Sequence, residues 1–221
     1  MTMGQLKGRR ARSPEAKTAR RGQILEAAQR LLTDADLGGI AMDDVAREAH
    51  VAKGTLYLYF RTREELFLGL LEQAFEGWFD ELDTKLAGGQ GWIPATALAD
   101  LMTASLGRRR LFRRLLAQLG PVLEHNLEDE QALRFKWRIA GRLATTGALL
   151  ERRTVYLRPG DGPRLLLHLQ AFAAGIQPLA EPAAVVRRVL QAPGLDVLRV
   201  EFEKEFRAAV GALLTGLERT N

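Results

Sequence analysis

Apolar side chains recur at spacings of three and four along almost the whole chain, and no stretch sustains an alternation of period two. Positions three and four apart share one face of an α-helix, so this pattern predicts helix after helix. Ile24, Ala28, Leu31 and Ala35 mark a first helix that stops near Gly38 and Gly39. A short second helix is expected over 42–49, with Val45, Ala46 and Ala49 facing inward, and a third over 53–60, with Leu56 and Phe60 one turn apart. Thr62-Arg63-Glu64-Glu65 reads as a capping box, the hydroxyl accepting from the Glu65 amide while that carboxylate reaches back. It opens a long fourth helix through Leu66, Leu70, Ala74, Trp78, Leu82 and Leu86, which breaks at Gly88-Gly89-Gln90-Gly91. Beyond Pro94 the periodicity predicts helices at about 95–106, 108–120, 128–154, 162–178, 182–191 and 195–218. Pro121, the run Pro159 to Pro163, Pro178, Pro182 and Pro193-Gly194 separate them. The expected fold class is all-α, a small three-helix unit followed by a larger helical body.

Composition narrows the classes. With 221 residues and 47% hydrophobic side chains the chain can bury a substantial core. The longest strictly apolar run, Ala171 to Ile176, is far short of the ~20 residues a membrane span needs. No apolar segment follows the basic amino terminus as a secretory signal requires, so a cytoplasmic protein without membrane contact is expected. The chain has no cysteine, which excludes disulfides, thiolate metal sites and a cysteine nucleophile. The net charge of +5 is localised. Lys7, Arg9, Arg10, Arg12, Lys17, Arg20 and Arg21 face only Glu15 within the first 21 residues, leaving the remainder near neutrality. A basic arm beside a neutral body suits a polyanion met at one end, or a solubilising tail; charge alone leaves both open.

The stretch 18–68 carries the most specific chemistry. Two short helices joined through His50-Val51-Ala52 have the helix-turn-helix layout, in which the second helix enters the major groove of DNA. Val45, Ala49, Val51, Leu56 and Phe60 would fix the angle between the helices. Lys53, Thr55, Tyr57, Leu58 and Tyr59 then remain for the groove and the backbone. Lysine and tyrosine hydroxyls suit phosphate oxygens, and threonine can reach a base edge or a thymine methyl. Arg63, in the first turn of the fourth helix, is placed to hold a further phosphate. Packing under the first helix competes with these roles, above all for Phe60 and also for Tyr59.

The run Met42-Asp43-Asp44-Val45-Ala46-Arg47-Glu48-Ala49, followed by Val51-Ala52-Lys53-Gly54-Thr55-Leu56-Tyr57-Leu58-Tyr59-Phe60 and Arg63-Glu64-Glu65-Leu66-Phe67, resembles the DNA-binding domain of the TetR family of bacterial transcriptional regulators. The resemblance covers roughly residues 18–70. It implies a homodimeric repressor on a near-palindromic operator in double-stranded DNA, with a ligand pocket in the carboxy-terminal body and release of DNA when a small, largely apolar effector binds. It also implies DNA contacts at Lys53, Thr55, Tyr57, Leu58, Tyr59 and Arg63. The domain organisation expected is a basic disordered arm 1–17, a helix-turn-helix DNA-binding domain 18–62, and an effector-binding and dimerisation domain 63–221. Ala41 and Ala52 stand where hydroxyl caps are usual in the family, and His50 where glycine is. A missing cap costs about 1 kcal/mol, so the motif is expected to be less rigid, with the basic arm adding compensating backbone contacts.

In the body, Phe75, Trp78, Met102, Phe112, Trp137 and Phe172 are the expected pocket wall, although core packing explains most aromatics. Leu195, Leu198, Phe202, Phe206, Leu213 and Leu217 form one stripe, expected to pair with the 162–178 helix in a four-helix dimer interface; burial inside one subunit is the competing reading. Arg108, Arg109, Arg110, Arg113 and Arg114 are expected on a solvated face. His125 and His168 lie at no metal-like spacing. No phosphate loop, dinucleotide turn or His-Glu-x-x-His helix occurs, and neither Ser13 nor Ser105 sits in a nucleophile elbow. No catalytic residue, metal or cofactor is therefore expected. A constitutive DNA-binding protein without ligand and a helical enzyme are the alternatives.

Overall fold

The computed structural model describes residues 13–32, 39–120 and 127–220. Residues 1–12 of the basic arm, Ala35, Gly38, Pro121 and His125 lie outside the described residues. Among those described there are helices and no strand. The chain divides into two compact units between Leu66 and Phe67.

The first unit begins with α1 (Pro14–Leu32), ten residues before the expected start at Ile24. Its opening is encoded locally. Ser13 accepts from the Ala16 amide at 3.3 Å, Pro14 occupies the first helical position, and Glu15 adds an acid to the first turn. Residues 14–17, assigned above to the arm, are thus helical. The helices α2 (Met42–Glu48) and α3 (Lys53–Tyr57) follow. α3 stops three residues short of the expected 60, and Leu58 and Tyr59 continue in a turn. Ile24, Leu25, Ala28, Leu32, Ile40, Val45, Leu56 and Phe60 are buried. The Arg21 guanidinium lies 5.1 Å from the Phe60 ring centre, and Arg30 pairs with Glu48 at 2.7 Å, joining α1 to α2.

α4 (Arg63–Gly88) starts in the first unit and supplies the first helix of the second. The body continues with α5 (Ala95–Gly107), α6 (Arg110–Gln118), α7 (Asp129–Arg153), α8 (Asp161–Ala180), α9 (Ala184–Val189) and α10 (Phe202–Thr220). α8 packs against α6 and α7, and α10 packs on α5 and α8. Phe75, Trp78 and Phe79 of α4 meet Phe112 and Phe135 in one aromatic core. The Trp78 indole donates to the Ser105 hydroxyl at 3.1 Å, which donates onward to the Met102 carbonyl at 2.8 Å, so the buried indole N–H is satisfied.

Two boundaries differ from expectation. α8 runs through Pro178, where the sequence reading ended it, because proline removes one hydrogen bond and the ladder resumes from the Glu181 amide to the Gln177 carbonyl at 2.9 Å. The last helix starts at Phe202, not 195. Gly194 takes φ +83°, Asp196–Leu198 form a short 3-10 turn, and Arg199 is extended, so Leu195 and Leu198 are not part of α10. The arginine run is also not uniformly solvated. Arg113 is buried; it donates to the Gln177 side chain at 2.8 Å, to the Leu106 carbonyl at 2.7 Å and to the Gly107 carbonyl, and lies 4.0 Å from the Phe202 ring centre. Burial pulls its guanidinium below the ordinary arginine value, with Glu181 and Glu203 opposing. No helix among the described residues is long and apolar enough to cross a membrane.

Candidate nucleic-acid interface

α2 opens without a side-chain cap. Ala41 has no acceptor to offer, and only the reverse half of a capping box forms, with the Asp44 carboxylate accepting from the Ala41 amide at 3.2 Å. Its other end is a Schellman turn: the Val51 amide donates to the Ala46 carbonyl at 3.0 Å and the His50 amide to the Arg47 carbonyl at 3.1 Å. This geometry puts His50 in the left-handed region, φ +51°, the one non-glycine there among the described residues. A side chain costs about 1–2 kcal/mol in that region. His50→Gly should therefore stabilise the fold by about 0.5–1 kcal/mol after the unfolded chain's gain in freedom is subtracted, and Ala41→Ser by about 1 kcal/mol through the restored cap. Denaturant melts measure both; loss of stability in either variant would show the turn or cap geometry to be wrong.

α3 is also entered without a side-chain cap, from Ala52. Leu56 and Phe60 point inward, and Val45 of α2 is buried. Ala49 and Val51, expected in this small core, are half-buried. Lys53 and Tyr57 are one turn apart on the outer side of α3; Tyr57 is 40% exposed, and Leu58 in the following turn is 80% exposed. Thr55, Tyr59 and Arg63 are half-buried. The cap at Thr62 forms: its hydroxyl accepts from the Glu65 amide at 3.1 Å, while the Glu65 carboxylate accepts from the Arg61 amide at 2.6 Å, one residue earlier than the expected partner. One participant was missed by the reading of the motif. Asp43 of α2 binds Lys53, at 2.8 Å to the ammonium.

In the body, Phe75, Trp78, Met102 and Phe112 are buried together in the aromatic core, and Phe79 and Phe135 join them although neither was expected in the set. Phe172 is half-buried. Trp137 is 71% exposed on α7 and does not line the interior of the subunit, because Phe135 and Ile139 take the inward face of that helix. The expected dimer stripe also divides. Phe202 and Phe206 are buried within the chain together with Val210 and Leu214, since α10 packs this face against α5 and α8. Leu213 and Leu217 are half-buried, Leu195 is half-buried and Leu198 exposed in the segment before the helix.

Residues 24–70 match the family described as bacterial regulatory proteins, tetR family, and residues 72–221 match the tetracyclin repressor-like C-terminal domain. The HTH-type transcriptional regulator EthR of Mycobacterium tuberculosis is 37% identical over 67 residues, 30% of this chain and 31% of that protein. The HTH-type regulator YfiR of Bacillus subtilis is 29% identical over 92 residues, 42% and 45% of the two chains. The chain thus spans less than half the length of these two curated relatives. A TetR transcriptional regulator from Rhodococcus shares the fold with a TM-score of 0.56 at 22% identity, over 91% of this chain and 97% of that one. The multidrug binding protein EbrR, crystallised with imidazole, aligns with a TM-score of 0.52 at 25% identity, over 90% and 94%. With the front motif and the helical body matched in sequence by the two halves of one family, the chain belongs to the TetR family of bacterial transcriptional regulators.

Proposed function

We propose that this chain is a homodimeric repressor that docks α3 of each protomer in successive major grooves of a near-palindromic operator and is released by a small, largely apolar effector. The observation that carries the reading is the outer side of α3, where Lys53, Tyr57 and Leu58 are exposed above a buried Leu56 and Phe60. Exposed lysine, tyrosine and leucine on a short helix suit phosphate oxygens and thymine methyls together. Thr55, Tyr59 and Arg63 complete the proposed contact set. The effector is proposed to sit against Phe75, Trp78, Met102 and Phe112, with Phe172 at the margin. α4 carries Arg63 and, about 18 Å further along its axis, Phe75. An effector that prefers the non-binding conformer would shift this helix; one with equal affinity for both conformers would leave the operator occupied.

For the second protomer we place the contact on α8 at Leu167, Ala171 and Leu179 and on α10 at Ala208, Ala212, Leu213 and Leu217. Small side chains at the centre of both stripes allow close helix approach, and Leu167 and Leu179 are more than half exposed. Leu167→Asp with Leu179→Asp should convert the dimer to monomers in analytical ultracentrifugation, and operator binding should fall with it. A dimer that survives the double change places the interface elsewhere.

The experiment for the whole reading is binding of the purified protein to DNA flanking its own gene, against scrambled duplex, over a salt series. Binding at least ~10³-fold tighter to the flanking DNA supports a specific regulator. Equal, weak binding that collapses with salt would reduce the motif to a sequence-independent grip. With the operator known, an effector screen reads release directly, and a protein that no ligand moves would be a constitutive binder.

A further inference from the structure

Two adjacent aspartates open α2 and take different partners. Asp44 stays within its own turn, accepting from the Ala41 amide and pairing with Arg47 at 3.0 Å. Asp43 reaches the next helix, and its two carboxylate oxygens lie 2.8 and 3.0 Å from the ammonium of Lys53, the first residue of α3. Both side chains are more than half exposed, so the pair stands on the surface from which Lys53 is proposed to meet DNA. The hydrogen bond from Lys53 to Asp43, and the charge behind it, raise the lysine above its ordinary value, so the ammonium is fully charged and fully engaged in the free protein.

We propose that Asp43 is an internal stand-in for a DNA phosphate, which holds Lys53 in the free protein and lowers the affinity of the motif for duplex of any sequence. The inference rests on the reading of Lys53 as a DNA contact. A carboxylate and a phosphate offer an ammonium the same charged oxygen acceptors. An exposed ion pair is weak, so Lys53 can be handed from one to the other. After the exchange the Asp43 charge is left bare within a few ångströms of the polyanion, well inside the ~8 Å screening length of physiological salt. The penalty falls on every duplex that uses Lys53, whatever its bases. Asp43 as a simple brace between α2 and α3 predicts the opposite sign, since loosening the brace would weaken DNA binding.

The test measures fluorescence anisotropy of a labelled random-sequence duplex of about 30 base pairs, with the full chain, from about 50 to 200 mM salt. Asp43→Asn should tighten binding about 3- to 10-fold at the low-salt end, with the gain shrinking as salt rises. Asp43→Ser, which keeps a residue suited to a helix start, should do the same and guards against a folding defect in the first variant. Lys53→Ala should weaken binding, and adding Asp43→Asn to it should recover less than about twofold, because the competitor has lost its target. Unchanged or weaker binding in both Asp43 variants, with Lys53→Ala still weakened, overturns the inference and leaves the Lys53 reading standing. A Lys53→Ala variant that binds like the parent removes the Lys53 reading and the inference with it. An equal gain with and without Lys53 shows that Asp43 acts on DNA directly, and also overturns it.

Discussion

Replacing Lys53 and Tyr57 together by alanine should lower operator affinity by about 10²-fold or more, at little cost in stability. The two side chains share the outer side of α3, and neither is buried: Lys53 is bonded only across the surface to Asp43, and Tyr57 is exposed. Loss of exposed side chains of this kind changes stability by about 0.5 kcal/mol at most. A phosphate contact removed from Lys53 weakens binding to all sequences and flattens the salt dependence, whereas a base contact removed from Tyr57 or its neighbours relaxes discrimination at one position. Anisotropy titrations of operator and scrambled duplex over a salt series separate the two, with melting curves as the control. A variant that melts normally and binds the operator with parental affinity would remove α3 as the reading helix. The same variant would leave turnover untouched if the chain were a helical enzyme, which makes it the discriminating change between those readings.

Gly162→Ala should destabilise the body by about 3 kcal/mol, through overpacking against backbone that has no side chain to move aside. A methyl at Gly162 would lie 2.2 Å from the Gly147 carbonyl oxygen and 2.6 Å from its carbon. Gly147 faces the same contact from α7, where a methyl would meet Pro163 at 2.5 Å. The close passage of α7 over the start of α8 therefore depends on two bare α-carbons, and a methyl on either forces the helices apart. For a chain of this length the loss corresponds to roughly 6–12 °C in melting temperature. Gly141→Ala on the exposed side of α7 is the matched control. Nothing lies within 4 Å of its added methyl, so it should stabilise by up to about 1 kcal/mol through helix propensity alone. Equal effects at 141 and 162 would show that the close passage is not formed.

The parts of this fold that can be read from the sequence are those whose signals are local. The Thr62 cap, the short helices on either side of His50 and the glycine break after α4 all follow from residues within a few positions of one another. The start of α1 was local too, in Ser13, Pro14 and Glu15, but the apolar periodicity that guided the reading begins only at Ile24. Leu195, Leu198 and Phe202 have helical spacing, yet a 3-10 turn and an extended residue satisfy the same spacing of leucines without continuing into α10. Periodicity also fails to say what covers a stripe. Phe202 and Phe206 lie on one helical face as expected, but their own chain buries them through α5 and α8. On α7, Leu133, Phe135, Trp137 and Ile139 surround the helix with apolar groups, and only the packing of neighbouring helices decides that Phe135 turns in and Trp137 out. The Asp43–Lys53 pair joins residues ten apart through a turn, a distance no helical repeat marks.

The uncapped starts of α2 and α3 have a consequence for hydrogen–deuterium exchange. First-turn amides of a helix have no carbonyl acceptor of their own, and here Ala41 and Ala52 offer none from a side chain. The amides of Asp43, Lys53 and Gly54 should therefore exchange at rates near those of a frayed chain, while the Glu65 amide, held by the Thr62 hydroxyl, is slowed. Covering the motif with DNA shields the same amides from solvent. Their slowing would map the docked surface residue by residue in the unmodified protein, against an internal reference at Glu65.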